Sequence, residues 1–418
     1  MPRPKPRSER LAELLRAEPS ECGEDGELAD ADAAAARKVE ALEELKAVVG
    51  ALQAAGGDGD GCMSRVEAAM AVRRKAKDDA AAREMLAMLG AIPPLVAMLD
   101  EGDGGEEEIT AAALYALLNL GIGNDANKAA IVQAGAVHKM LRIAEGGGAS
   151  GALTEAVVAN FLCLSALDAN KTVIGASGAA PFLVRAFQGG GGGGTTTEQA
   201  RHDALRALLN LSIAPANATH LLAAGLAPAL VAAVAAAATT DRALAALCNL
   251  VAACPEARRA VSRAKDAVPA LVDVLGWSDE PGCQEKAAYV LMVLAHRSYG
   301  DRAAMAEAGA TSALLELTLV GTALAQKRAS RILEILRADK GKQVADDASG
   351  VAAAAMSAPQ QRGMSVEKRA VRQLVQQSLH SNMRRIVRRA RLPQDLAPAT
   401  SESLKALTSS STSKSLPF

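Results

Sequence analysis

The sequence predicts an all-α chain in which short helical units stack into a solenoid, and three observations lead there. Half of the 418 residues are hydrophobic, but only 2% are aromatic and the apolar ones are mostly Ala, Leu and Val. Short side chains of that kind suit helices in close contact and disfavour a sheet. A pattern of helix, polar turn, short helix, glycine corner and further helix runs through ALYALLNLGIGNDANKAAIVQAGAVHKML, Ala113 to Leu141, and returns down the middle of the chain. The return is regular: Asn119, Asn160, Asn210 and Asn249 fall late in long helices, at steps of 41, 50 and 39 residues.

The totals bound the rest. The net charge of −1 points to neither nucleic acid nor membrane, although the first sixty residues are acidic and Arg384–Arg391 is basic. Six scattered cysteines form no CxxC pair and lack companion histidines, which implies free thiols and neither a disulfide framework nor a zinc site. MPRPKPRSERLAELL has basic residues without a following apolar core, so no secretory signal is expected. The uncharged run Leu221–Ala238 is just long enough to span a bilayer. It contains Gly225 and Pro228, and its LAPALVAAV parallels AVPALVDVL at Ala267–Leu275, so a buried helix pair is the better expectation.

In chain order, residues 1–63 are expected to be a disordered acidic region with one helix, over about Ala29–Ala55, whose Val39, Leu42, Val49 and Leu52 share a face. GGDGDG at Gly56–Gly61 breaks it. Ordered structure is expected from Ser64, with one helix to Lys77, a second ending at Gly90 and a third opening with Pro93. Corner glycines follow at Gly135, Gly178, Gly225 and Gly309, while Lys265-Asp266 replaces the corner in RAKDAVPALV. The first helices read NKAAIVQAG, NKTVIGASG, NATHLLAAG and DRAAMAEAG, and Gly189–Thr197 is a flexible insertion that lengthens the middle step. Two further long helices, Ala287–His296 and Lys327–Arg337, put Val293 and Glu334 at the Asn position. A period of about 40–47 residues with three helices per unit is the armadillo/HEAT spacing, and no unit could bury its apolar face alone. The array is expected over 64–337, as about six repeats plus a half-repeat N-terminal cap. A linker at 338–364, a basic amphipathic helix at 365–393 and a disordered tail at 394–418 complete the expectation.

Catalytic chemistry finds little footing. GIGNDA at Gly121–Ala126 matches a dinucleotide pattern, but that motif must follow a strand and here follows a helix. His138, His202, His220, His296 and His380 fall in different units, none beside a Ser or Cys nucleophile. No catalytic residue, metal ligand or cofactor is assigned. The recurring amides are the functional lead: each either pins its repeat internally or forms a ladder that meets an extended peptide backbone. One turn earlier stand Tyr115, Ala156, Arg206, Ala245 and Tyr289, which would set the chemistry of such a groove. The C-terminal helix carries Arg384, Arg385, Arg388, Arg389 and Arg391 beside a stripe of Val366, Ala370, Leu374, Met383, Ile386 and Val387. Docking as an end cap is the favoured reading, with nuclear import, an anionic lipid surface and a calmodulin-like partner as alternatives.

With the repeats placed, the chain resembles the plant armadillo-repeat proteins related to U-box ubiquitin ligases, and in particular a subgroup lacking the U-box. The resemblance covers about Arg65–Val344 and is strongest in EMLAMLGAIPPLVAMLD, LYALLNLGIGNDANKAAIVQAGAVHKML, EAVVANFLCLSALDANK, GWSDEPGCQEKAAYVLMVLAH and SALLELTLVGTALAQKRASRILEILRADKGKQV. It implies a right-handed armadillo solenoid whose third-helix asparagines, here Asn119, Asn160, Asn210 and Asn249, line a concave groove. The importin-alpha pattern has Trp four residues before each Asn. Here those places hold Tyr, Ala, Arg and Ala, so nuclear-localisation peptides are not the expected ligand. Before Ser64 there is no aromatic residue and no CPI-like segment, so direct recruitment of a ubiquitin-conjugating enzyme is not expected either. The function expected is a non-enzymatic scaffold for a protein or extended peptide, in the cytoplasm or nucleus. A substrate adaptor or degenerate U-box ligase is the alternative.

Overall fold

The computed structural model describes residues 26–54, 64–101, 107–146, 150–191 and 194–351. A long helix α1 (Gly26–Gln53) and a lone helix α2 (Arg65–Asp78) precede six three-helix repeats. The repeats are α3 (Ala80–Met88), α4 (Ile92–Glu101) and α5 (Glu107–Gly121); α6 (Asp125–Gln133), α7 (Ala136–Glu145) and α8 (Gly151–Ser165); and α9 (Asp168–Ala176), α10 (Ala179–Phe187) and α11 (Glu198–Ser212). Then come a 3-10 turn (Pro215–Asn217) leading into α12 (Ala218–Ala223), α13 (Leu226–Val234) and α14 (Thr240–Ala253); α15 (Pro255–Arg263), α16 (Ala267–Leu275) and α17 (Pro281–Arg297); and α18 (Tyr299–Glu307), α19 (Ala310–Val320) and α20 (Ala323–Val351). In the glycine insertion, β1 (Gly190–Gly191) and β2 (Gly194–Thr195) form a two-residue antiparallel pair. This is an all-α solenoid.

Local signals explain where the helices start and turn. Ser64 and Glu67 form a reciprocal capping box at α2, and Asp79, Asn124, Ser150, Thr197 and Ser298 cap later helices through their side chains. Each first helix turns into its second through a left-handed residue. The five corner glycines have φ between 76° and 94°, and Asp266, the glycine substitute, has φ 59°. Short polar side chains such as Asp tolerate that region best after glycine. The apolar run around Gly225 is one of these corners, with its two helices meeting at 88°. Among the described residues, no single helix is long and apolar enough to cross a membrane.

Alanine supplies the close approach of the third helices. Ala113 and Ala116 of α5, Ala204 and Ala207 of α11, and Ala287 and Ala288 of α17 are all buried. α2 packs on α5, α5 on α8, α8 on α11 and α17 on α20. Phe161 and Phe182, two of the four phenylalanines, meet with centroids 6.0 Å apart, a favourable tilted arrangement. The described residues divide into two compact units, one within Met1–Ala233 and Ala245–Val261, the other within Val234–Leu244 and Ser262–Phe418.

Three expectations need correction. Ordered structure begins before Ser64: α1 buries Leu42, Leu45, Val48, Val49 and Leu52 and pairs Glu44 with Lys75 of α2. Val39, placed on the same face by periodicity, is exposed, because the buried face begins only at Leu42. The expected linker at 338–364 starts too early, since α20 continues to Val351; its Ala, Lys and Gln residues favour helix, and the stretch to Val351 includes no proline. Residues 1–25, the basic helix at 365–393 with Arg384, Arg385, Arg388, Arg389 and Arg391, and the tail at 394–418 lie outside the described residues.

Candidate binding face of the third helices

The repeat register is set by a row of asparagines that the sequence reading passed over. Asn127, Asn170 and Asn217, at the start of successive first helices, are buried, and each donates its amide twice. One bond enters the end of the preceding third helix, at the carbonyls of Leu120, Leu164 and Leu211, at 2.9–3.2 Å. The other reaches back one repeat, to the carbonyls of Arg83, Lys128 and Lys171, at 2.9–3.1 Å. Leu120, Leu164 and Leu211 lie in the last turn of their helices, where carbonyls lack a full set of intrahelical partners, and the second bond ties each amide to the preceding repeat. At other repeats arginine takes over: the Arg83 and Arg258 guanidinium groups donate to the carbonyls of Ala76 and Val251. In the second unit, Arg302 donates to the Ala295 carbonyl while Asp301 accepts from the Ser262 hydroxyl at 2.5 Å. The signal was in the sequence as DAN, DAN and PAN before the short helices.

This buried row shows which third-helix residues are equivalent. Leu120, Leu164 and Leu211 occupy one place, so the residues before them, Asn119, Cys163 and Asn210, form one row. Asn249, which precedes Leu250, belongs with them. Asn160 does not. It stands three residues before Cys163, at the place of Ala116 and Ala207, and is 1% exposed. Its amide donates to the carbonyls of Leu114 at 3.0 Å and Ala156 at 2.9 Å, and its Oδ1 is buried without a partner. Asn160 therefore pins the stack and is not an exposed rung, because the sequence pattern aligned it on the wrong turn of α8. Ala156 moves with it and is buried; Ala159 takes its place on the face.

The corrected row is half-buried and bonded through one side. Asn119 donates to the Arg73 carbonyl at 2.9 Å, Asn210 to the Ser165 hydroxyl at 3.2 Å, and Asn249 to the Ser212 hydroxyl at 3.0 Å. Ser165 and Ser212 share the place of Gly121, and there the partner is Cys163: a Cβ on Gly121 would stand 2.9 Å from its sulfur. Burial pushes the Cys163 thiol up to about 11 against the opposing charge of Lys128, which makes it a packing group and a poor nucleophile.

One turn earlier, Tyr115 is half-buried with the Arg73 guanidinium 4.2 Å over its ring, and Arg206 is exposed with Asp203 at 3.2 Å. Arg73, Arg74 and Lys77 make the α2 end of this face basic, and Ile122 and Ile213 add exposed apolar contacts. In the second unit, Tyr289 carries Arg328 at 5.1 Å over its ring, and Val293 stands at the Asn place. His138, His220 and His296 are exposed on separate helices, and His202 faces Glu198 at 3.9 Å. This arrangement offers amides, aromatic faces and cations to a polypeptide, and it assembles no nucleophile with a base.

Comparison with known proteins agrees with this architecture. No family model matches the chain. A stretch of 162 residues is 32% identical to U-box domain-containing protein 38 of Arabidopsis thaliana, covering 37% of this chain and 29% of that protein. The fold is an all-α solenoid, and the chain is similar over that stretch to a U-box domain-containing protein. Among solved structures, an engineered protein at 22% identity aligns over 70% of this chain and 68% of its own, with TM-score 0.58. A designed armadillo-repeat protein at 19% identity aligns over 70% and 99%, with TM-score 0.41. The chain spans about 29% of the length of its curated relative, whose U-box is a feature of that protein's name.

Proposed function

We propose that this chain is a non-enzymatic armadillo-repeat scaffold that holds a partner protein as an extended segment along the third-helix face of its first unit. The observation that carries the proposal is the row of Asn119, Asn210 and Asn249. Each commits its amide nitrogen to the helix stacked before its own and remains half-exposed, which leaves Oδ1 to accept from a peptide N–H. Tyr115 and Arg206 flank that row and supply side-chain selectivity. The scaffold works in the cytoplasm or nucleus, with no nucleic acid and no membrane as its ligand. The test compares affinity capture by the full chain with capture by an Asn119→Ala, Asn210→Ala and Asn249→Ala variant whose helical content is unchanged. Loss of the wild-type partners is expected, and equal capture by both proteins would refute the reading.

The 32% identity to a U-box protein favours one second reading, a substrate adaptor in ubiquitin transfer. An adaptor supports modification of its captured partner only when a separate ligase is supplied. Autoubiquitination of the purified chain with activating and conjugating enzymes alone would make it a ligase and displace both readings.

A further inference from the structure

The last repeat ends in a surface that every inner repeat buries. The sixth residue after each corner is Val96, Leu141, Val184, Val231 and Val272 in the first five repeats, buried to 8% exposure or less; in the sixth it is Leu315, 45% exposed. The second residue after the corner follows suit: Ile92, Val137, Ala180, Ala227 and Val268 are buried, whereas Thr311 is exposed. These places lie on second helices, and successive second helices pack on one another, α4 with α7, α7 with α10 and α16 with α19. α19 is the last of the series among the described residues. Its exposed side adds Leu319 at 80% and Val320 at 71%, and Leu324 at the start of α20 continues the patch. Such a run on the end of a solenoid is a docking surface shaped for a helix.

We propose that the occupant is this chain's own segment 365–392, which lies outside the described residues. Counted at about 3.6 residues per turn, the apolar side of this segment is Val371, Val375, Leu379, Met383 and Ile386, with Arg384, Arg385 and Arg388 off it. Its reach fits. α20 has 29 residues and carries the chain about 43 Å from the patch at 1.5 Å per residue. The 13 residues of 352–364 extend to about 45 Å, enough to return. Charge fits as well: Glu316, one turn from Val320, is exposed beside the patch, and the segment carries Arg384, Arg385 and Arg388. The docked segment is the missing seventh second helix, a cap supplied in cis.

The experiment is hydrogen exchange with mass readout on the full chain at low micromolar concentration, with molecular mass from sedimentation. Three proteins are compared: wild type, Leu319→Asp with Val320→Asp, and Leu379→Asp with Ile386→Asp. Both substituted patch residues are exposed, so circular dichroism should match wild type. In the wild-type monomer, amides of 366–387 should exchange at least about tenfold more slowly than in either variant. Equal exchange in wild type and the patch variant overturns the proposal. So does protection that vanishes on dilution as a dimer dissociates, which would make a second copy the occupant, or protection that appears only with anionic vesicles.

Discussion

Gly175 shows how a single hydrogen atom in place of a side chain decides the stacking of two repeats. It lies inside α9, where alanine would ordinarily stabilise by about 1 kcal/mol. A Cβ there would stand 2.0 Å from Oδ1 of Asn217, the amide that bonds the carbonyls of Lys171 and Leu211. Gly175→Ala is therefore expected to destabilise by about 2–4 kcal/mol in chemical denaturation, against its helix propensity. Adding Asn217→Ala should recover part of that loss, since the clash then has no partner. A neutral or stabilising Gly175→Ala would show that the buried asparagine row does not fix the register. The pairing across repeats gives a second case. Asn210 meets Ser165 and Asn249 meets Ser212, whereas Cys163 meets Gly121. Gly121→Ser alone should cost about 1–3 kcal/mol through overpacking on the sulfur. Gly121→Ser with Cys163→Asn should restore an Asn–Ser bond and show a coupling of about 0.5–1.5 kcal/mol in a double-mutant cycle. At this scale the sequence was least legible. Asn160 and Asn119 look alike in VANFLC and ALLNLG, and only the carbonyls of Leu120 and Leu164 reveal that they face different ways.

Elements were far easier to read, because their limits rest on local chemistry. A glycine closing five of the six first helices is a short-range signal, and the structure places each left-handed corner glycine where the sequence does. The misplaced boundaries, at Ser64 and at residue 338, are those where tertiary packing or plain helix propensity outlasts the repeat pattern. The corner itself can be tested cleanly at Gly135, φ 83°, where an added Cβ would meet nothing within 4 Å. Gly135→Ala should cost about 1–2 kcal/mol from backbone conformation alone, and Gly135→Asn less, since a short polar side chain suits the left-handed region. The chain already uses that tolerance at Asp266. Thermal unfolding of the two variants, matched for helical content, separates this backbone cost from any loss of packing; equal melting temperatures would refute it.

For the molecule as a whole, the fold class was plain in the spacing, whereas the row of half-buried amides proposed as a binding face took shape only once three-dimensional equivalence corrected the ladder. Repeats that touch only their neighbours also make a statement about how stability is distributed. Asn127, Asn170 and Asn217 each bond the repeat just before their own, at separations of 42 to 46 residues, and such links carry strain no further than the next repeat. Loosening one of them should act locally. In Gly175→Ala, amide protection is expected to fall in α8 to α12, around the Lys171–Asn217 link, while Pro281–Arg297 in the second compact unit keeps its wild-type exchange. Residue-resolved hydrogen exchange under native conditions reads this profile directly. A uniform fall over every described helix would instead mark a single cooperative unit, and the nearest-neighbour account of this solenoid would fail.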